Sequence, residues 1–308
     1  MKTPKAVEPL IDDGLIDEVI RPLMSGKEAS VYVVRTGDEA RCVKVYKEAN
    51  QRSFQHRSQY QEGRRVRNSR RGRAMRKRSD FGRRELEQDW QNAEVEALYQ
   101  LSGAGVRVPT PHYFSEGVLL MELITDAQGN PAPRLSEVTL TPELARTYHR
   151  MLVQDVVKIL CAGLVHGDLS EYNILIDGEG PVIIDLPQAI NAAGNNNAQK
   201  ILKRDIRNLA IYFGRYVPEL KRTNFGQEIW DLYEKGDLHP ESKLSGKPSG
   251  NSKKVNIDKV IQEINECNDE IALGFGRKIV EIKKPSPSQQ KNRRSSRSQS
   301  KNRKSRSN

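Results

Sequence analysis

The segment from Leu164 to Asn173, Leu-Val-His-Gly-Asp-Leu-Ser-Glu-Tyr-Asn, contains an aspartate and an asparagine five positions apart. An apolar stretch and a second aspartate, Asp185, follow. Phosphoryl transfer requires a base for the incoming hydroxyl and hard oxygen ligands that hold magnesium against the phosphates. This spacing therefore favours Asp168 as the catalytic base, with Asn173 and Asp185 as metal ligands. In the alternative, Asp168 caps a turn and Asn173 is an ordinary loop residue.

A site of this kind also needs a cation for the α- and β-phosphates. Lys44 lies in Cys-Val-Lys-Val-Tyr, a run typical of a strand. Glu94 lies on a helical segment among the apolar residues Trp90, Ala97 and Leu98. A carboxylate that faces an apolar seam is costly unless it is paired. We therefore expect Glu94 to pair with Lys44, although Lys44 alone would also fit a solvated face.

A short loop upstream could add phosphate contacts. Residues 24–31 read Met-Ser-Gly-Lys-Glu-Ala-Ser-Val and enter the first predicted hairpin. A glycine lets backbone amides approach a phosphate, and serine and lysine side chains add donors. The candidates are Ser25, Gly26 and Lys27. By itself the loop is a poor phosphate motif, and a simple turn is the default interpretation.

The elements that must position these residues begin with strands. The β-branched runs Ser30–Arg35 and Arg41–Lys47 flank Thr-Gly-Asp-Glu, which is a hairpin signal. The apolar run Gly117–Ile124 predicts a buried strand. Upstream, the mixed helical spacing of apolar residues over 1–20 predicts a short helix that ends at Pro22.

Helices follow the strands. Apolar spacing predicts one over Glu85–Leu101, and Thr141 as N-cap before Pro142 predicts another that runs to about Cys161. The remaining predictions are short strands at 174–176 and 182–184 and helices at 198–216, 225–235 and 255–272. Strands followed mainly by helices indicate an α+β fold rather than alternating βαβ units.

Charge is distributed unevenly along the 308 residues, whose net charge is +11. Residues 52–84 carry thirteen Lys/Arg and two acids, and residues 283–308 carry ten Lys/Arg and no acid. The rest of the chain keeps 28 of the 51 Lys/Arg but 38 of the 40 Asp/Glu. Because basic groups neutralise phosphates, rRNA or a ribosomal subunit is a candidate partner of these segments, which we expect to be a flexible insert and a disordered tail. Alternatively, the tail only raises solubility.

Cysteine and apolar content bear on the compartment. Cys42, Cys161 and Cys267 are odd in number and widely separated, so no disulfide framework is expected. No apolar run approaches the roughly 18 residues of a membrane span, and no signal-peptide hydrophobic core is present. We therefore expect a cytoplasmic protein without a membrane partner.

Together these motifs resemble the RIO family of atypical serine/threonine protein kinases over roughly residues 15–216. The matching segments, in order, are Ser25-Gly-Lys-Glu-Ala-Ser-Val-Tyr32, Lys44, Trp90 with Glu94, Met121-Glu-Leu-Ile124, His166-Gly-Asp-Leu-Ser-Glu-Tyr-Asn173, Ile183-Ile-Asp-Leu-Pro-Gln-Ala189 and Arg204-Asp-Ile-Arg-Asn208. Within the family the chain is most similar to bacterial members of the subfamily without a winged-helix N-terminal domain.

The resemblance implies a two-lobed protein-kinase-like fold of the α+β class, with a small β-rich N-lobe and a mainly helical C-lobe. The implied domains are a helical extension at 1–17, the N-lobe at 18–122 with the basic insert at 52–84, the C-lobe at 123–240, a linker with a C-terminal helix at 241–282, and the basic tail at 283–308.

The resemblance also implies a kinase that autophosphorylates on serine and binds ATP with Mg²⁺ or Mn²⁺. Lys44 would pair with Glu94 and hold the phosphates, Asp168 would be the base, and Asn173 and Asp185 would bind the metal. The other nucleotide contacts would be Ser25, Gly26 and Lys27 over the phosphates, with Met121, Glu122 and Ile124 at the adenine, where Glu122 and Ile124 act through their backbone.

Several positions depart from ordinary protein kinases. Met24 and Ala29 replace two loop glycines, and Ser170 replaces a lysine. Asp185-Leu-Pro replaces Asp-Phe-Gly, and no Ala-Pro-Glu segment follows. We therefore expect the full activation loop and the peptide-docking subdomain to be absent, with poor phosphorylation of free peptides.

Two other functions fit parts of the sequence. Small-molecule phosphotransferases of the aminoglycoside and choline kinase type also use His-Gly-Asp followed by Asn and a later Asp, although the basic insert would repel a cationic substrate. An ATPase switch that binds RNA or the ribosome would use the two basic segments. Transfer to an aminoglycoside or choline without protein labelling would indicate the first, and free phosphate without serine labelling the second.

Overall fold

The computed structural model describes residues 3–26, 28–47 and 80–247, with the backbone alone over 80–90. The N-terminal lobe is a five-stranded antiparallel sheet in the order β1-β2-β3-β5-β4. Its strands are β1 Glu18–Ser25, β2 Ala29–Thr36, β3 Glu39–Tyr46, β4 Pro111–Ser115 and β5 Val118–Glu122. The predicted hairpin and the predicted buried strand are confirmed as β2, β3 and β5, whereas β4 was missed.

A tight turn sets the register of the last two strands. Glu116 and Gly117 join β4 to β5 with φ angles of 47° and 76°. Positive φ at both central positions matches the right-handed twist of the paired strands. Across the sheet, Lys44 pairs with Val31 on one side and Leu119 on the other, which places it on a central strand.

The two faces of the sheet pack against different clusters. Leu119 belongs to the main core, whereas Val118 and Leu120 belong to a smaller outer cluster. This division follows because successive strand residues point to opposite faces. The N-terminal segment completes the outer cluster with the buried residues Val7, Leu10 and Ile16.

The prediction of a helix over residues 1–20 is wrong. Helix α1 covers only Glu8–Asp12, and the chain is already in β1 from Glu18. The apolar residues after α1 fit a helical or an extended backbone equally well. Pairing decides between them, because Val19 aligns with Val34 of β2.

Helix α2 spans Asp80–Gly103 and begins before the predicted start at Glu85. Its buried residues Val95, Leu98 and Leu101 pack on the main core. The last residues of the predicted basic insert, from 80 to 84, are therefore helical rather than part of a loop. Residues 52–79 lie outside the described part of the chain.

The C-terminal lobe contains three longer helices, α3 Pro142–Cys161, α4 Ala198–Phe213 and α5 Phe225–Lys235, with 3-10 turns at Leu135–Glu137 and Pro218–Arg222. Thr141 caps α3, since its side chain accepts the Leu144 N–H at 3.3 Å. Short strands connect the helices: β6 Leu164–Val165, β7 Ile174–Ile176, β8 Pro181–Ile183 and β9 Ile190–Asn191. The three helices and the strands around 174 and 182 were predicted and are confirmed within a few residues.

One continuous apolar core joins the two lobes and includes Leu98, Leu119, Leu152, Leu169 and Phe213. The α+β, two-lobed architecture is therefore confirmed. Only residues 186–197 separate Asp185 from α4, which leaves no room for a full activation loop.

Several predictions fall partly or wholly outside the described residues. These are the helix at 255–272, the tail at 283–308 and Cys267. Within the described part, Cys42 and Cys161 are free. No helix of that part is long and apolar enough to cross a membrane. The domain boundaries given above stay predictions.

Candidate active site

Glu94 is 2% exposed and is held by two residues of β3. Lys44 Nζ donates to Glu94 Oε1 at 2.6 Å, and the Tyr46 hydroxyl donates to Oε2 at 2.6 Å. Alternate residues of a strand share a face, so both donors reach into the sheet face covered by α2. The structure thus brings together the pair expected from the sequence and adds Tyr46, which sequence reasoning missed.

Lys44 also reaches across the cleft. Its Nζ donates to Asp185 Oδ1 at 3.0 Å, so one ammonium bridges carboxylates from both lobes. Burial alone would lower the pKa of Lys44, but Glu94 and Asp185 outweigh it and raise the pKa well above its usual value. Lys44 is therefore a fixed positive charge inside the cleft.

Asp185 has an unusual backbone and a stabilised charge. Its φ is 66°, a left-handed conformation that few residues other than glycine adopt. Burial alone would raise its pKa, but the ammonium of Lys44 and its hydrogen bond hold the pKa below the usual value. Asp185 is thus an ionised carboxylate on a strained backbone, and its side chain points into the cleft.

Asp168 and Asn173 lie together on the loop between β6 and β7, here named the catalytic loop for its candidate base Asp168. The Asn173 amide nitrogen donates to the Asp168 carbonyl at 2.9 Å and to Asp168 Oδ2 at 3.2 Å. Burial raises the pKa of Asp168, although the nearby Arg204 opposes this effect. A carboxylate with a raised pKa is a stronger base, so this position suits proton acceptance.

Helix α4 holds the start of this loop. The Gly167 N–H donates to Asp205 Oδ2 at 2.8 Å, and Arg204 donates to the Gly167 carbonyl. Asn208 donates to the Leu169 carbonyl at 3.2 Å. Burial raises the pKa of Asp205 to about 6. One sequence signal could have found this support, since Asp205 interrupts the apolar face of α4 as Glu94 does on α2.

His166 joins the loop to the strand that leads to Asp185. Its Nδ1 accepts the Asp168 N–H at 3.2 Å, so Nε2 carries the proton and donates to the Ile184 carbonyl at 3.2 Å. Burial lowers the pKa of His166 to about 4, which keeps the ring neutral. Its contacts indicate positioning rather than a second base.

The loop between β1 and β2 is a tight hairpin. The Gly26 N–H donates to the Ala29 carbonyl at 2.9 Å, and Lys47 Nζ donates to the Gly26 carbonyl at 2.6 Å and to Ser25 Oγ at 3.2 Å. A Cβ on Gly26 would meet only the Ala29 oxygen, at 3.6 Å. Among the described residues no contact excludes a side chain at Gly26, so its approach to a phosphate stays a prediction. Lys27 lies outside the described residues.

The adenine-side candidates form the connection between the lobes. The Glu122 N–H donates to the Thr110 carbonyl at 2.9 Å, and its side chain accepts the Thr110 N–H at 3.0 Å. The Ile124 carbonyl accepts the Ala132 N–H at 2.9 Å, and Met121 packs against the main core. These bonds fix the segment, and its contacts with a nucleotide stay predictions.

The oxygen atoms present fit a divalent cation. Asn173 uses its amide nitrogen on Asp168, which leaves Oδ1 for a ligand role, and Asp185 keeps Oδ2 beside the oxygen that Lys44 contacts. Among the described residues no group of three His, Cys, Asp or Glu forms a preassembled metal site. Magnesium commonly completes its shell with phosphate oxygens and water, so two protein ligands suffice.

Comparison with known proteins agrees with this geometry. Residues 30–225 match the family described as the RIO domain. The chain belongs to the RIO domain family. It is 37% identical over 212 residues to the RIO-type serine/threonine-protein kinase Rio1 of Haloferax volcanii. The aligned region covers 68% of each chain.

Other relatives are longer than the matched region. The chain is 30% identical to the human serine/threonine-protein kinase RIO1 over 212 residues, 67% of this chain but 35% of the human one. For Schizosaccharomyces pombe rio1 the identity is 30% over 213 residues, 67% of this chain and 40% of the relative. The chain thus spans less than half of these two relatives. The placement among bacterial members stays a prediction.

Proposed function

We propose that the chain is an ATP- and metal-dependent protein serine/threonine kinase that autophosphorylates on serine. One observation carries the proposal: Lys44 joins Glu94 of α2 to Asp185, on the same cleft that holds Asp168 and Asn173. The names of the relatives, which are serine/threonine-protein kinases, support the same activity.

Each residue has a part in the transfer. Lys44 neutralises the ATP phosphates, while Glu94 and Tyr46 keep its ammonium in place. Asp168 accepts the proton of the incoming serine hydroxyl, and Asn173 orients its carboxylate. Bound by Asn173 and Asp185, Mg²⁺ or Mn²⁺ would neutralise charge on the phosphates.

The test follows γ-labelled ATP with Mg²⁺ or Mn²⁺ and separates protein-bound label from free phosphate. We expect serine label in the wild type, a loss of at least about a hundredfold in Asp168→Ala and Asp185→Ala, and no change in the control Asp231→Ala on α5. Thermal unfolding checks that each variant is folded. Free phosphate without serine label would favour an ATPase switch, and label on an aminoglycoside or choline alone would favour a small-molecule phosphotransferase.

We further propose that the kinase acts on or with ribosomal particles. The support is the charge of segments 52–84 and 283–308, which together hold 23 of the 51 Lys/Arg. Such segments bind phosphate backbones without sequence readout. The ATPase switch remains the second candidate, because the same charge and the same nucleotide cleft would serve it.

A further inference from the structure

Arg134 lies at the mouth of the cleft and has no role in the site described above. It belongs to the segment that leaves β5 and enters the C-terminal lobe. Its backbone forms a β-bridge with Leu175, two residues after Asn173, and its N–H donates to Glu137 Oε2 at 3.1 Å. The backbone of Arg134 is therefore fixed beside the catalytic loop.

The guanidinium of Arg134 contacts both lips of the cleft. Its Nη1 donates to the Tyr172 carbonyl at 2.7 Å, next to Asn173 in the chain. Its Nη2 lies 3.2 Å from Sδ of Met24, which precedes Ser25 at the end of β1. A carbonyl is a strong acceptor and a thioether a weak one. Nη2 can therefore form a stronger hydrogen bond if it exchanges the Met24 thioether for a better acceptor.

The charges inside the cleft leave a use for this cation. Lys44 is shared between Glu94 and Asp185, and Asp168 adds another carboxylate. Arg134 reaches the same cleft, because its Nη1 bonds to the carbonyl of Tyr172, the chain neighbour of Asn173. The guanidinium thus lies within electrostatic reach of the side of the cleft where the phosphates would bind.

We propose that Arg134 is a further nucleotide-binding residue: when a nucleoside triphosphate enters, Nη1 keeps the Tyr172 carbonyl and Nη2 exchanges the Met24 thioether for a phosphate oxygen. A guanidinium suits this exchange because its planar fork holds two acceptors at once and it remains charged. The inference rests on the proposed ATP-dependent function. It also means that the nucleotide itself releases the contact between the two lips.

The experiment measures binding of ATP and of adenosine, with Mg²⁺, by calorimetry on the full chain. Loss of a charge-assisted hydrogen bond predicts that Arg134→Ala weakens ATP binding about 10- to 100-fold and leaves adenosine binding within about twofold. Arg134→Lys keeps the charge without the fork and should lie between Arg134→Ala and the wild type. Arg146, an exposed arginine paired with Glu219, supplies the control Arg146→Ala, which should bind as the wild type does.

Three results would overturn the inference. Equal weakening of ATP and adenosine would show that Arg134 only shapes the connection between the lobes. Wild-type ATP affinity in Arg134→Ala would show that no phosphate contact exists. If that variant does not fold, wild-type ATP affinity in Arg134→Lys would show that the guanidinium fork makes no contact with a phosphate. A wild-type chain that binds neither ligand would reject the proposed function itself, and the role of Arg134 with it.

Discussion

Both oxygens of the buried Glu94 accept hydrogen bonds from β3, one from Lys44 and one from Tyr46. A buried carboxylate that loses a hydrogen-bond donor is still desolvated, and the lost bond no longer offsets the free-energy cost of that desolvation. The sequence predicted the lysine, because a carboxylate on an apolar helix face needs a cation. It contained no signal for Tyr46, because tyrosine is common in strands for reasons of packing alone.

At the scale of single residues, we expect Tyr46→Phe to lower turnover about tenfold and the free energy of unfolding by about 1–3 kcal/mol, since it leaves one Glu94 oxygen without its donor. Kinase assays and urea unfolding measure the two effects. Tyr99, which is 49% exposed on α2, gives the matched control Tyr99→Phe. Wild-type values of both quantities in Tyr46→Phe would show that its hydroxyl does not hold Glu94.

Among the elements, the contact of α4 with the catalytic loop decides where Asp168 lies. Gly167 has a φ of 87°, and a Cβ there would clash with the Gln188 carbonyl. Its N–H and carbonyl are held by Asp205 and Arg204. The local motif does not contain this support, because a helix that begins about thirty residues later contributes it.

We expect Gly167→Ala to abolish detectable kinase activity and to cost more than 2 kcal/mol of unfolding free energy, through backbone strain and the clash together. Gly105 is the matched control, because its φ is 70° and a Cβ there would meet nothing within 4 Å. Gly105→Ala should cost only about 1 kcal/mol and retain activity. Denaturant unfolding and labelling of both variants test this, and equal losses would contradict the clash.

Taken as a whole molecule, the chain is an acidic body with two basic segments. We expect it to bind an rRNA fragment at low salt, and the slope of log affinity against log salt should steepen by about 0.7 for each phosphate that a basic side chain neutralises. Replacing residues 283–308, which hold ten Lys/Arg, with a Gly/Ser segment of equal length should flatten that slope. Filter binding across salt concentrations measures it. An unchanged slope would assign the phosphate contacts elsewhere, and no binding at low salt would contradict the ribosomal role.

Sequence patterns predicted the fold class and most elements of this molecule. Thr141 with Pro142 fixed the start of α3, because a cap is a local signal. The N-terminal strand β1 was missed because long-range pairing with β2 decides it, and β4 because five residues that begin with Pro111 carry too little pattern. The spacing of residues in the sequence predicted Asp168, Asn173 and Asp185. The positions of Tyr46, Lys47 and Arg134 depend on contacts between distant segments, which spacing does not reveal.

The packing of residues 7–16 on the outer face of the sheet bears on which fragments of this domain can be expressed. The family match begins at residue 30, inside β2. A fragment that starts there would lack α1 and β1 and would expose Val34, Val43, Val118 and Leu120, which are now 2% exposed or less. Such apolar patches favour aggregation. The residues of the family match are therefore fewer than those that build the sheet, and expression fragments should keep the chain from before Val7.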